Sequence, residues 1–236
     1  AADAQEARDV AAAVREAGTV HLEAFHYPYH PLFRRVVEIV SDGGVGEVRH
    51  VEAVLTMTAP AEDDPRWSLE LAGGSTMDLG CYSLSCVRLL GEFAGGEPTP
   101  RSAVAAVRAG RPGVDERLSV ELDYPSGATA RAASDMAHDS RSFRMRVVGS
   151  HGEIAVPAFP LPHEDDTLVW TRTGDDAAVE HLGRRSSYTY QLETFANAVR
   201  HGGPVLTDVE FTVANMTMID TAYELSGLEP RRPTPA

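Results

Sequence analysis

Within twelve residues, two side chains could hold and move a proton. The stretch Gly73-Gly74-Ser75-Thr76-Met77-Asp78-Leu79-Gly80-Cys81-Tyr82-Ser83-Leu84 combines backbone-permissive glycines, a carboxylate and a phenol, and it reads as a loop feeding a helix. With a helix starting near Ser75, Asp78 and Tyr82 stand four positions apart on one face, where a single small molecule reaches both. A phenol ordinarily ionises near pH ~10, so Tyr82 needs a neighbouring positive charge to work as acid or base near neutrality. Asp78 suits the orienting of a substrate hydroxyl better than proton transfer. Spacing alone does not separate such a pair from the aspartate and tyrosine of any amphipathic helix. Arg66, a few residues upstream, reads equally as a substrate contact or as a solvated, ion-paired arginine.

A second chemistry-bearing cluster is His26-Tyr27-Pro28-Tyr29-His30-Pro31. Each proline pushes the residue before it away from the helical region, so the segment is a stiff connector between two units. With no third ligand placed nearby, a metal is not expected; an aromatic lining is, with Tyr27 and His30 as candidate substrate contacts. A metal-dependent hydrolase using His26, His30 and His138 lacks any supporting spacing. Asp42-Gly43-Gly44-Val45-Gly46 tempts a phosphate-loop reading. It follows a helix and precedes a strand, the reverse of the order a dinucleotide fingerprint needs, and is rejected.

Charge narrows the partners. A formal net charge of -14 over 236 residues argues against nucleic acid and anionic membrane surfaces. All 21 basic residues are arginine, so no lysine exists to activate Tyr82. Cys81 and Cys86, five apart on one helix and on nearly opposite faces, are not expected to bridge, which fits a reduced, cytoplasmic setting. No apolar run reaches the ~18 residues of a membrane span, and no leader-like segment is expected.

The elements that must position these groups follow from periodicity and turn signals. Residues 3–17 form an alanine-rich helix stopped by Gly18, followed by a short strand over 19–25. Residues 32–40 predict a helix and 47–58 a long strand, with the central helix over 75–90 stopped by Gly91. From 101 to 181 short β-type runs alternate with turn residues: 102–108, 116–123, 128–135, 143–149, 152–156, 167–171 and 178–182. Pro125-Ser126-Gly127 and Gly149-Ser150-His151-Gly152 are hairpin turns. Two helices close the chain, 188–201 with Leu192, Phe195, Ala196 and Val199 as its apolar face, and 208–226 capped by Thr207 or Asp208. Consecutive strands without helices between them imply an α+β fold: a largely antiparallel open sheet flanked by helices, with a second subunit covering its free face. The proline-rich tail from 230 is expected to fray.

GGSTMDLGCYSLS resembles the "GGG-x-x-x-D-x-G-x-[HY]" signature of the glucose-fructose oxidoreductase, inositol dehydrogenase and rhizopine-catabolism (Gfo/Idh/MocA) family, in its tyrosine branch. Three further phrases carry the resemblance: "EAF-x-Y-R-x-H-P" at residues 23–31, with Pro28 in place of the arginine; "G-x-V-G-E-V-R" at 43–49; and "Y-x-x-Q-L-x-x-F-x-x-A-V-x-x-G" at 188–202. The resemblance implies that 1–26 is the end of a dinucleotide-binding (Rossmann) domain, 27–229 the substrate and oligomerisation domain and 230–236 a tail. It implies NAD or NADP as cofactor and reversible oxidation of a CH–OH group on a sugar, polyol or cyclic diol, with Tyr82 as proton donor or acceptor and Asp78 holding the reacting hydroxyl. The family's "E-K-P" lysine and its glycine fingerprint have no counterpart in these residues. The alternative is a non-catalytic dimerising or small-ligand-binding module.

Overall fold

The alternating runs of the middle and second half assemble into one sheet of eight strands in a computed structural model, which describes residues 1–233. The strands are β1 (Val48–Thr56), β2 (Thr99–Val107), β3 (Asp115–Asp123), β4 (Thr129–Asp135), β5 (Ser142–Gly149), β6 (Gly152–Val156), β7 (Thr167–Arg172) and β8 (Ala178–His181). Their spatial order is β2-β3-β4-β1-β5-β6-β7-β8. Every neighbouring pair is antiparallel except β1 with β4, which run parallel from His50↔Thr129 to Thr56↔Asp135. The earliest strand thus lies between two strands consecutive in the chain. The α+β expectation and all eight strands are found.

Period-two alternation decides which side is buried. Val51, Ala53 and Leu55 of β1, Leu118, Val120 and Leu122 of β3, Ala130 and Ala132 of β4, and Met145 and Val147 of β5 are buried. Against this face pack the helices α2 (Pro31–Ser41), α3 (Cys81–Leu89) and α5 (Val209–Leu225). Each large aliphatic side chain removed from water here contributes about 1.5–3 kcal/mol. The opposite face carries the charged members of the alternation. Glu52 accepts from both Arg131 at 3.1 Å and Arg144 at 3.3 Å, while Val104 on the β2 edge is 73% exposed.

Helix α1 (Ala4–Ala17) is capped by Asp3, whose carboxylate accepts from the Glu6 amide at 2.7 Å, and is ended by Gly18 in the left-handed region at φ 62°. It lays Ala4, Ala7 and Ala11 on α5, small side chains that allow the two helices to approach closely. Asp208 caps α5, accepting from the Phe211 amide. Cys81 and Cys86 are free thiols.

Four expectations are corrected. Residues 19–25 form no strand: Glu23 donates its amide to the Thr207 carbonyl, but no described strand lies alongside to continue a ladder. The single helix over 75–90 divides into a widened π-turn, Thr76–Gly80, and α3. Helix α4 (Ser187–His201) buries Ser187 and Ala198, leaving Leu192 and Val199 of its expected apolar face exposed, because it docks on the connector around Tyr27–Tyr29 through Tyr188, Tyr190 and Ala198 instead. The tail does not fray at 231, where Arg231 is buried; residues 234–236 lie outside the described residues.

Candidate active site

The loop before the π-turn is built to hold Arg66 over Asp78. Asp64 caps the short turn Pro65–Trp67 by accepting from the Arg66 amide at 2.9 Å. Trp67 anchors that turn in the core, under the Arg108 guanidinium. Gly74, at φ 135°, donates its amide to the Arg66 carbonyl at 2.9 Å and accepts the Asp78 amide on its own carbonyl at 3.1 Å. One glycine therefore joins the backbones of both residues, in a conformation L side chains rarely adopt. The side chains then meet: Arg66 Nε donates to Asp78 Oδ2 at 3.0 Å and Nη1 to Asp64 Oδ2 at 3.0 Å. The Asp78 carboxylate, foremost, raises the Arg66 pKa and fixes its charge. Being half-exposed, the pair itself contributes at most about 1 kcal/mol to stability.

One cavity lies against this pair and a second adjoins it. The larger, about 810 Å³, is lined by Glu6, Asp64, Arg66, Gly73, Asp78 and Arg232. The smaller, about 190 Å³, is lined by Glu23, Phe25, Cys81, Tyr82, Met216 and Ile219. Ala1 and Met77 border both, so the cavities adjoin. Asp78 lines the first and Tyr82 the second.

Tyr82 packs edge-on against Phe25 with ring centroids 5.1 Å apart, and its hydroxyl has no hydrogen-bond partner among the described residues. Burial pushes its pKa well above the ordinary phenol value, with smaller contributions from Cys81, Tyr188, Asp78 and Glu23. No described cation offsets this, so the phenol stays protonated at neutral pH.

The other candidates lie elsewhere. Tyr27 is fully buried, its hydroxyl paired with Ser85 Oγ at 2.9 Å, and His30 is fully buried with Nδ1 accepting from the Leu32 amide at 3.0 Å. Neither lines the two cavities. His30 instead holds the first turn of α2, and Tyr27 fills the core between Phe33 and Phe159. His138 contacts Ser140 beyond the end of β4, and no three His, Cys, Asp or Glu side chains gather as a metal group among the described residues.

One neighbour of Tyr82 entered the sequence reading only as a member of the proline-locked cluster and of the unsupported metal-hydrolase set. His26 is buried with its ring 5.9 Å from that of Tyr82, stacked on Tyr188 at 3.8 Å, and its Nδ1 lies 2.8 Å from Ser187 Oγ. Burial, with a smaller effect of His163, lowers its pKa to about 4, so it is neutral near pH 7. Glu6, Asp64 and Met77 were missed. Only Asp64 left a signal, an aspartate directly before proline, the usual start of a capped turn.

Residues 33–155 match the model of the GFO/IDH/MocA C-terminal domain. The chain belongs to the GFO/IDH/MocA family. Among curated relatives, it is 36% identical over 212 residues to D-xylose 1-dehydrogenase (NADP(+)) 2 of Haloferax volcanii, covering 89% of this chain and 63% of that protein. It is 30% identical over 205 residues to dTDP-3,4-didehydro-2,6-dideoxy-alpha-D-glucose 3-reductase of Streptomyces violaceoruber, covering 86% of this chain and 58% of that protein. The chain thus spans about three-fifths of the length of these relatives. Aldose-aldose oxidoreductase from Caulobacter crescentus, solved with glycerol, shares the fold at TM-score 0.87 and 23% identity over 96% of this chain and 68% of that one. In this GFO/IDH/MocA chain Asp78 and Tyr82 line two adjoining cavities.

Proposed function

We propose that this GFO/IDH/MocA chain is the substrate side of an NAD(P)-dependent oxidoreductase acting on a CH–OH group of a sugar, polyol or cyclic diol. The observation that carries the reading is that the Arg66–Asp78 pair and Tyr82 line two adjoining cavities. Asp78, held by Arg66, accepts a substrate hydroxyl; Tyr82 exchanges the proton of the hydroxyl being oxidised. The relatives' names supply the reaction class: an NADP-dependent D-xylose dehydrogenase and a nucleotide-sugar reductase.

Substrate charge follows from the lining. Glu6, Asp64 and Asp78 face the larger cavity with Arg66 and Arg232, and Arg66 is already engaged by two carboxylates. Arg232 pairs with Glu229. A neutral, unphosphorylated sugar or polyol fits this balance, whereas a diphosphate would meet net negative charge.

The cofactor fits in part. A cavity of about 190 Å³ with Phe25, Met216 and Ile219 on its walls accommodates one planar ring and not a dinucleotide. No strand, glycine loop and helix of the dinucleotide type occurs among the described residues. Tyr82, Phe25 and Glu23 would border the nicotinamide end, and the cofactor would supply the hydride acceptor. To accept the hydroxyl proton the phenol needs a neighbouring cation, and the described residues supply none. The free thiols Cys81 and Cys86 suit a cytoplasmic setting. The uncovered sheet face, with exposed Val104 and Val179 near its two edges, suits homo-oligomerisation.

The test is a Tyr82→Phe substitution in the full-length gene product, assayed with NADP and a panel of aldoses, polyols and diols. A loss of about 100-fold or more in kcat is expected; an unchanged rate removes Tyr82 from the mechanism. The 236 residues alone are expected to bind neither NADH nor NADPH tightly, and micromolar binding by fluorescence titration would overturn the division of labour.

A further inference from the structure

Beneath the loop that joins Arg66 to Asp78 lies a polar cluster that the proposed reaction does not use. Asp115, at the start of β3, and Arg231, near the end of the described chain, form an ion pair whose side chains are 0% and 1% exposed. Every donor around Asp115 converges on one place. Oδ2 accepts from the Thr76 amide at 2.7 Å and from Thr76 Oγ1 at 2.6 Å, while Oδ1 accepts from Arg231 Nη2 and from the Tyr223 hydroxyl at 3.0 Å. Arg231 Nε donates to the Gly73 carbonyl at 2.8 Å, and its guanidinium lies 4.2 Å over the Tyr223 ring.

A Cβ added to Gly74 would run into the Asp115 carboxylate and the Arg231 guanidinium. The pair is therefore pressed against the one residue whose amide meets Arg66 and whose carbonyl meets Asp78. Thr76, the first residue of the widened turn, is held by the same carboxylate. A buried ion pair is a poor source of net stability, since desolvation offsets its attraction. Its geometric effect is definite: four donors from three separate segments fix one carboxylate under the loop.

We infer that Asp115 and Arg231 are positioning residues, a latch that brings the C-terminal segment under Gly73–Thr76 and sets the placement of Asp78 against Arg66. This rests on the proposed role of Asp78 for its kinetic consequence, but not for its structural one. Neither residue lines the cavities as a substrate contact; Arg231 acts through Gly73 and Asp115 through Thr76. The segment following α5 becomes part of the active-site architecture.

Single substitutions leave the partner charge buried and unpaired, and Asp115→Asn alone is expected to cost the fold. The informative variant is the double Asp115→Asn/Arg231→Met in the full-length gene product, which removes both charges together and retains volume. Arg231→Lys keeps the charge but cannot reach Gly73 and Asp115 in one fork. Hydrogen exchange of the peptide spanning 73–78 is read first, with α2 as internal reference. At least tenfold faster exchange in this peptide is expected in the double variant, with α2 unchanged. Steady-state kinetics are read second, with kcat/KM expected to fall at least tenfold, mainly through KM, in the double variant and in Arg231→Lys. Unaltered exchange at 73–78 overturns the latch. Faster exchange with unaltered kcat and KM overturns the positioning role. A wild-type protein without sugar-oxidising activity would remove the oxidoreductase reading and with it the kinetic role, while exchange still decides the latch.

Discussion

His26 makes the fold acid-sensitive over a defined window. The imidazole is 1% exposed, stacked on Tyr188 and bonded to Ser187, and its pKa falls from 6.5 to about 4 through burial. The folded state therefore favours the neutral ring, and the unfolded chain binds the proton first as pH falls. Stability from this group is complete above about pH 6.5, is lost as pH drops through the window, and levels off below about pH 4. At ~1.36 kcal/mol per factor of ten, the loss reaches about 2 kcal/mol at pH 5 and about 3 kcal/mol at pH 4. The assay is urea unfolding of the wild type and of His26→Phe at several pH values. Phenylalanine keeps the stacking ring but has nothing to protonate. It leaves Ser187, which is 0% exposed, without its partner, a pH-independent cost of about 1–3 kcal/mol. His30, whose pKa burial also lowers, contributes equally to both proteins and cancels in the difference. The stability gap between wild type and variant should narrow by 2–3 kcal/mol from pH 7 to pH 4, by the linkage relation. A gap independent of pH would show that the ring is not held neutral, and the packing around Tyr82 would need a different account.

Three further outcomes follow from the site and the sheet. Arg66→Ala should change stability by less than about 1 kcal/mol, since the pair is half-exposed, yet raise the KM for a neutral sugar at least tenfold; equal KM values would remove Arg66 and its hold on Asp78 from substrate binding. In the full-length gene product a free aldose should be oxidised with a higher kcat/KM than its phosphorylated form, because Glu6, Asp64 and Asp78 outnumber the uncommitted cations; the reverse preference would refute the charge argument. Val104→Arg on the open sheet face should lower the apparent mass in light scattering if that face assembles, with the monomer fold retained by circular dichroism; an unaltered mass would place any assembly elsewhere.

The sheet was legible because its determinants are local. Pro125-Ser126-Gly127 turns where turn residues stand, with Gly127 at φ 87°, and β3 alternates buried and half-buried from Leu118 to Asp123 without interruption. The strand expected over 19–25 failed for the opposite reason: β-type residues make a strand only beside another one, and Glu23 finds only the Thr207 carbonyl. Aromatic and histidine content pointed at Tyr27 and His30 without saying which way they turn. Their hydroxyl and imidazole pair with Ser85 and the Leu32 amide in the interior.

The site itself was half legible. Asp78, Tyr82 and Arg66 were each visible as residue types, and the family signature marked the first two. What spacing could not supply is the pairing of Arg66 with Asp78 across twelve positions, because that depends on Gly74 taking a positive φ and on what lies behind it. The widened turn is no property of Thr76–Gly80 alone either: the carboxylate of Asp115, thirty-nine residues downstream, fixes the Thr76 amide. A tail reading Pro-Arg-Arg-Pro looks frayed by composition, yet its first arginine is among the most deeply buried side chains described. Proximity of Tyr82 and Asp78 on a helix was thus the weaker part of the sequence argument. Their division between two adjoining cavities leaves a phenol whose pKa burial raises, protonated at neutral pH and with no cation beside it among the described residues.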